Sequence, residues 1–455
     1  MERAKDFTKG NLWKQIICFS LPLMASQLLQ VLFNLSDIAV VGRFAGSGAL
    51  GSVGSTSILV ALFTGILIGV GCGVNVPVAR FFAAKREKDL SETVHTAAIL
   101  SVLIGVVVMG IGVGFARPIL SLLKTKPDLI DGAVLYLRIY FLGMPALALY
   151  NFGSAVFSAI GDTRRPLYYL TIAGVGNIAL NLVFVIVFRM AVAGVALASI
   201  LTQYLSAILI LLALARCRES YGLRRKALRV SRDKAALILR LGIPTAMQNA
   251  IFQIANLFIQ TGVNSFDSLM VKGNSAAANA DALVYDVMSA FYTACSSFIG
   301  QNLGVGNKKR IRKSYFICLL YAFLSGAVLG LSLVFFGEGF LALFTKEPDV
   351  IAAGMTRLKI MGCSYAVSAF MDCAIAASRG LQHTLAPTIL VIGGSCVFRV
   401  IWVYTVFAHF GTILSLYSLY LVSWSITALA ENLYFAYVYR KTQGRTECAE
   451  CESTA

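Results

Sequence analysis

The chain has 455 residues, of which 58% are hydrophobic and only 13% are charged. Globular proteins carry about 25% charged residues, so this composition excludes a soluble domain of this length and predicts a multi-pass membrane protein. The net charge of +17 does not indicate a nucleic-acid partner, because Lys and Arg collect in the cytoplasmic loops of membrane proteins. The first apolar run is too long for the apolar region of a signal peptide.

Apolar runs of about 20 residues recur along the chain and predict an all-α protein with twelve transmembrane helices. The predicted spans are 14–41, 51–76, 95–117, 133–157, 167–188, 191–215, 241–265, 275–299, 315–337, 355–378, 387–409 and 413–438. Most of the 39 Lys and Arg residues fall in alternate connections between these spans. This asymmetry predicts that both termini and the central loop lie in the cytoplasm, with the protein in the inner (cytoplasmic) membrane of the cell.

The second half of the chain repeats the first. Matching positions include Pro22 and Pro244, Thr163 and Thr384, and Pro166 and Pro387. Each half contains six predicted spans, so the two halves share one orientation and form parallel repeats, an arrangement that binds substrates at the interface of the repeats. The predicted domains are an N-terminal lobe (1–218), a cytoplasmic linker (219–240), a C-terminal lobe (241–439) and a polar cytoplasmic tail (440–455).

Four short motifs resemble one transporter family. They are residues 21–27 (Leu-Pro-Leu-Met-Ala-Ser-Gln), 37–42 (Asp-Ile-Ala-Val-Val-Gly), 159–164 (Ala-Ile-Gly-Asp-Thr-Arg, followed by Pro166) and 300–304 (Gly-Gln-Asn-Leu-Gly). Over nearly its whole length the chain resembles the multidrug and toxic compound extrusion (MATE) family, in particular its bacterial drug exporters. The resemblance implies a secondary active antiporter that works by alternating access. Such a protein exports amphipathic, often cationic organic compounds, such as drugs, toxins or metabolites, in exchange for H⁺ or Na⁺.

A carboxylate inside a membrane span is unfavourable unless it is paired, solvated or neutralised, so each one is a candidate functional group. By the resemblance, Asp37 in the first span is the acid that couples transport to a cation. Its expected neighbours are Ser199 and the amides Asn177 and Asn181, which are four residues apart on one helix face. Relatives with a sodium site usually have Asp in place of Asn181. The single carboxylate therefore favours H⁺, although Asp37, Asn177 and Asn181 could hold Na⁺; hydrogen bonding between helices is the alternative use of the amides.

The second half carries its own charged residues within the hydrocarbon. Arg399 should have a partner there, because an isolated buried cation is very unfavourable. We expect Asp286, at a similar depth, to neutralise Arg399, with Asp372 as the alternative partner. Such a pair is either structural or linked to a proton or a substrate. Glu431 is expected near a membrane boundary, where it snorkels or pairs, and Asp281 near a span end is expected to be exposed.

Further side chains are candidates for a substrate cavity. Two are polar groups on span seven, and four could make apolar or cation–π contacts with a hydrophobic cation, although packing is the common use of such residues in membranes. These candidates are Gln253, Asn256, Tyr140, Tyr150, Met288 and Tyr292.

The sequence does not indicate an enzyme. It lacks a GxSxG or Walker sequence and metal-spaced histidines, and Cys448 and Cys451 lack the second pair that a zinc site needs. We therefore expect no cofactor and no ATPase subunit, and a monomer whose partners are small organic substrates and the lipid bilayer. Alternatives are a flippase for lipid-linked precursors, which the single deep cation Arg399 disfavours, and a membrane scaffold, which the buried acids disfavour.

Overall fold

The computed structural model describes residues 6–123 and 125–454, and only the backbone of residues 47, 50 and 443–454. All regular structure in these residues is helical. The helices are α1 (Leu12–Ala45), α2 (Ser47–Ala83), α3 (Glu87–Leu122), α4 (Pro127–Phe141), α5 (Met144–Ala159), α6 (Arg164–Val187), α7 (Ala191–Arg216), α8 (Arg232–Val263), α9 (Ser268–Gly304), α10 (Lys308–Leu341), α11 (Pro348–Gly362), α12 (Tyr365–Gly380), α13 (Leu385–Phe410) and α14 (Ile413–Thr454).

The helices confirm the prediction of an all-α membrane protein. Ten of those described are long and apolar enough to cross a membrane, and two bent pairs raise the number to as many as twelve. The predicted span 133–157 is the pair α4 and α5, bent by 47°, and the predicted span 355–378 is the pair α11 and α12, bent by 50°. Pro145 at the start of α5 accounts for the first break, since proline removes a helix hydrogen bond and clashes with the preceding turn.

The chain forms two compact units whose boundaries differ from those of the predicted domains. Unit 1 comprises Ala25–Ala250, whereas unit 2 comprises Asp6–Met24 and the chain from Ile251 onwards. The first part of α1 therefore belongs to unit 2, and the first part of α8 belongs to unit 1. Helix α8 begins at Arg232, inside the predicted linker, and α14 continues through most of the predicted polar tail.

Residues 6–24 are held in unit 2 by α9 and α10. The ring of Phe7 stacks on Phe298 with the ring centroids 3.9 Å apart, and its backbone N–H donates to Gln301 Oε1 at 3.0 Å. The guanidinium of Arg310 donates to the carbonyl oxygen of Phe7 at 2.9 Å. The motif 300–304 thus has a structural role, because its Gln301 holds Phe7 in place.

In unit 1, α2 packs closely against the first part of α8 through glycines spaced one helical turn apart. A Cβ atom on Gly69 would lie 2.5 Å from the Cα of Ala246, and one on Gly73 would lie 2.6 Å from a carbonyl oxygen of α8. The carbonyl oxygen of Gly65 accepts a hydrogen bond from Asn249 Nδ2 at 2.9 Å. Small residues at this spacing let two helix backbones approach each other where both are surrounded by lipid.

We expect Gly69→Val to force these helices apart and to lower the stability of the protein by about 1–3 kcal/mol or more, because the added side chain meets backbone atoms that cannot rotate away. Thermal unfolding of the detergent-solubilised protein measures the effect. Gly110→Val on α3 is the matched control, since a Cβ atom there meets nothing within 4 Å. Equal unfolding temperatures for the two variants would contradict the close packing.

Candidate functional site

Asp37 is half-buried in unit 1, next to side chains of α6 and α7. The amide Nδ2 of Asn181 donates to Asp37 Oδ1 and also to Asn177 Oδ1, the latter at 3.1 Å. The side chain of Ser199 on α7 lies near the Asp37 carboxylate. The structure thus brings together all four residues predicted for cation coupling. It adds Thr202, whose Oγ1 accepts from Asn177 Nδ2 at 3.5 Å. Thr202 lies one turn from Ser199, the spacing that could have revealed it.

The oxygen atoms around Asp37 suit a small cation or a proton. Asn181 is completely buried, yet its Oδ1 accepts no hydrogen bond from any residue that the structure describes. The free amide oxygen of Asn181 and the carboxylate oxygens of Asp37 are hard ligands that could coordinate a small cation. Alternatively, a proton could bind the carboxylate and remove its charge. No cluster of three His, Cys, Asp or Glu able to hold a metal ion occurs in the described residues.

π-Helical turns adjoin the candidate residues of three helices. These turns are Val41–Ala45 in α1, Val183–Val187 in α6, and Ile392–Val397 and Val403–Phe407 in α13. Asp37 and Asn181 each lie just before one of them, and Arg399 lies between the last two. Such turns are rare and frequently mark functional sites, because they interrupt the regular backbone hydrogen bonding. The sequence pattern gave no signal for them.

The predicted ion pair of Arg399 with Asp286 or Asp372 is wrong. Arg399 on α13 is only 1% exposed, and no described carboxylate lies within ion-pair distance of its guanidinium. Its Nε donates to Ser423 Oγ at 3.1 Å. Aromatic rings surround the cation instead and stabilise it through their negative faces. Their centroids lie 4.6 Å (Tyr420), 4.8 Å (Phe252) and 5.7 Å (Trp424) from the guanidinium carbon.

The other acids of unit 2 also differ from expectation. Glu431 on α14 is completely buried rather than snorkelling at a boundary, and neither of its carboxylate oxygens has a hydrogen-bond partner within the described part of the chain. The charges of Arg379 and Asp372 act on it through space. Asp372 on α12 likewise has an unpartnered, buried Oδ2, whereas Asp286 on α9 is half-buried.

A polar network in unit 2 was missed from the sequence. Arg357 of α11 is buried, forms an ion pair with Asp281 of α9 and donates a hydrogen bond to Asn274 Oδ1. The Tyr365 hydroxyl donates to Asp281, and the Tyr417 hydroxyl donates to Asn274 Oδ1 at 2.7 Å. The expectation that Asp281 is exposed is therefore wrong. Both charges lie within predicted apolar spans, and that placement was the signal that each needs a partner.

The remaining candidates occupy two kinds of position. Three are buried in the packed interior of their units, namely Tyr150, Met288 and Tyr292. Three are half-buried, namely Tyr140, Gln253 and Asn256. Tyr150 donates its hydroxyl to the carbonyl oxygen of Pro166 at 3.2 Å, and Tyr140 stacks on Tyr136 with the centroids 5.7 Å apart. Their role as substrate contacts stays a prediction.

Known proteins resemble this chain over most of its length. The MatE family model matches residues 22–183 and again 244–405, so the same model fits both halves. The probable multidrug resistance protein YpnP of Bacillus subtilis is 31% identical over 376 residues, which are 80% of this chain and 81% of that protein. The FAD transporter of Shewanella oneidensis is 24% identical over 375 residues, again 80% and 81% of the two chains. A solved multidrug resistance MATE family transporter in an outward-facing conformation shares the fold with a TM-score of 0.89, covering 98% of this chain and 100% of its own at 20% identity.

Proposed function

Since this chain belongs to the MatE family of multidrug efflux transporters, we propose that it is an ion-driven antiporter that exports amphipathic organic compounds by alternating access. The Asp37 site is the observation that carries the proposal. A carboxylate that neighbouring hydroxyl and amide groups hold within a membrane span can take up a cation from one side and release it to the other when access changes. The proposal places the protein in the cytoplasmic membrane as a monomer, with both termini in the cytoplasm.

The names of relatives support a broad class of substrates. One relative is a probable multidrug resistance protein, and another is an FAD transporter, whose named cargo is a large amphipathic molecule with negatively charged phosphates. We propose that this chain likewise exports amphipathic organic molecules that combine an apolar body with a charge. Lipophilic cations are the first substrates to test, because Tyr140 and its stacked neighbour Tyr136 lie near Asp37 and offer cation–π contacts.

We propose the proton as the driving ion. The site offers a cation a single carboxylate, that of Asp37. The other oxygens near it are neutral and belong to Asn177, Asn181, Ser199 and Thr202. A sodium ion must be compensated for its lost hydration by several oxygens and by negative charge, whereas a proton needs only one carboxylate.

Transport of a fluorescent cation into inverted membrane vesicles tests both the function and the ion. We expect uptake under an imposed proton gradient, loss of uptake on addition of a protonophore, and full uptake in sodium-free buffer. Asn181→Asp should make uptake sensitive to sodium, because it supplies the second carboxylate. Asn264→Asp, an exposed position, is the matched control and should not. Uptake that stops without sodium at a maintained proton gradient would exclude the proton as the sole driving ion.

A further inference from the structure

The hydrogen bonds of Arg399 are incomplete although the residue is buried. A guanidinium carries five N–H donors, and only the one on Nε is used, by Ser423. Nη1 and Nη2 have no acceptor among the residues that the structure describes. The three surrounding rings stabilise the charge, but none of them accepts a hydrogen bond from Nη1 or Nη2. Four N–H donors of a buried cation are thus without an acceptor in the described part of the chain. Because buried polar groups nearly always form hydrogen bonds, we expect a bound ligand to supply the acceptors.

A structural counter-charge does not explain this arrangement. The carboxylate of Asp372 acts on Arg399 through space but lies beyond ion-pair distance. Asp372 itself keeps a buried Oδ2 without a partner. If the two residues served only to neutralise each other, they would be expected in direct contact, as Arg357 and Asp281 are within the same unit.

The two repeats differ in the sign of this charge. In unit 1 the helices α1, α6 and α7 surround a carboxylate, Asp37, with amides and hydroxyls. The corresponding helices of unit 2 are α8, α13 and α14, and they surround a guanidinium, Arg399, with aromatic rings. The two repeats share one fold but carry opposite charges at this position. The site in unit 1 therefore suits a cation, and the site in unit 2 suits an anion.

We propose that Arg399 is a binding site for the carboxylate of an amphipathic organic acid, which the protein carries as a substrate. The two oxygens of a carboxylate match the parallel N–H groups of Nη1 and Nη2, and its planar shape fits between aromatic rings. The rings of Phe252, Tyr420 and Trp424 then contact the apolar body of the ligand. This inference rests on the proposed transport function, and it extends the substrate class from cations to organic anions.

Access to Arg399 has a structural basis in α13. The residue stands in a short α-helical stretch, Phe398–Trp402, with a π-helical turn on each side. The first turn contains two glycines: Gly393 is exposed, whereas a Cβ atom on Gly394 would lie 2.6 Å from Thr427 Oγ1. Helices bend at π-helical turns, and bending of α13 at these turns would open the aromatic enclosure to a ligand.

The test uses the full-length, detergent-solubilised protein with Trp424 as the reporter. The chain has 3 Trp residues, so Trp13→Phe and Trp402→Phe together leave only the ring beside Arg399. Benzoate is the probe, and benzamide is its neutral counterpart of the same shape. We expect benzoate to change Trp424 fluorescence saturably and benzamide to bind roughly tenfold more weakly or not at all, because only the anion makes charge-assisted hydrogen bonds. Equal responses to the two probes, or none to benzoate, would overturn the proposal without the need for any change at Arg399.

Variants of Arg399 sharpen the result. Arg399→Lys keeps the charge but removes the parallel N–H groups of the guanidinium, so benzoate affinity should fall roughly tenfold. Arg399→Gln removes the charge as well and should abolish binding. Arg117→Gln, an exposed position in unit 1, is the control and should bind benzoate normally. Benzoate binding that survives Arg399→Gln would contradict the proposal. So would recovery of the unfolding temperature of Arg399→Gln on adding Asp372→Asn, because that recovery identifies a structural counter-charge.

Efflux of ethidium by the same proteins separates this inference from the proposed function. We expect the wild-type protein and the control Arg117→Gln to export ethidium under a proton gradient at the same rate. If the wild-type protein exports ethidium but does not bind benzoate, the proposed carboxylate site is wrong and the proposed antiporter function is still supported. A wild-type protein that exports no ethidium under a proton gradient would count against the proposed function instead.

Discussion

Asp37→Asn is expected to abolish active efflux while the protein still folds. The substitution keeps the size of the side chain and its capacity to accept a hydrogen bond from the amide of Asn181. It removes the only charge of the site, so no proton or sodium ion can be exchanged for the substrate. Downhill movement of substrate does not need the exchange, and it should therefore continue.

Dye accumulation in cells and uptake into inverted vesicles measure this loss directly. We expect uptake by the variant to fall to the level of vesicles without the protein, at an unchanged amount of protein in the membrane. Asp131→Asn is the matched control, because that carboxylate is exposed and pairs with the exposed Arg117. Active export by Asp37→Asn at the wild-type rate would show that the coupling acid lies elsewhere.

Arg357→Ala should have the largest effect on stability, a loss of about 3–5 kcal/mol. The substitution leaves the Asp281 carboxylate without its cation and removes a donor from Asn274. It also empties the space beside the Tyr417 ring, which lies 5.1 Å from the guanidinium carbon. A buried carboxylate without a partner is strongly destabilising, so unit 2 should lose its packing at a much lower temperature.

Thermal unfolding of the solubilised protein measures this prediction, and Lys272→Ala is its control. Lys272 pairs with Glu347 at the surface, where both side chains are more than half exposed, so its removal should cost about 0–1 kcal/mol. Adding Asp281→Ala to Arg357→Ala should recover part of the stability, because the uncompensated charge disappears. Strictly additive losses would mean that the two residues do not stabilise each other.

The sequence predicts the number and positions of the spans well, because length and apolar content decide which segments cross a membrane. It does not predict the bends between α4 and α5 or between α11 and α12, since the apolar run continues across each break. Nor does it predict that α8 begins at Arg232, because hydropathy alone assigns a charged helix end to a loop.

The candidate site divides in the same way. The surroundings of Asp37 follow from the resemblance together with the spacing of Asn177 and Asn181, which fixes one helix face. The surroundings of Arg399 do not follow, because the rotation of α13 decides whether the guanidinium meets an acid or aromatic rings. Hydropathy and depth identify a buried charge in a span, but they do not identify its neighbours.

The membership of residues 6–24 in unit 2 has a consequence for how the protein is made. This segment leaves the ribosome before unit 1 does, yet Phe298, Gln301 and Arg310, which hold Phe7, are synthesised only after unit 1 is complete. The first span therefore enters the membrane without most of the contacts of its initial part, and these contacts close a loop of nearly 300 residues. Assembly of unit 2 thus waits until the chain on both sides of unit 1 has been synthesised. Until then, lipid or the insertion machinery must shield the apolar surface of the nascent chain.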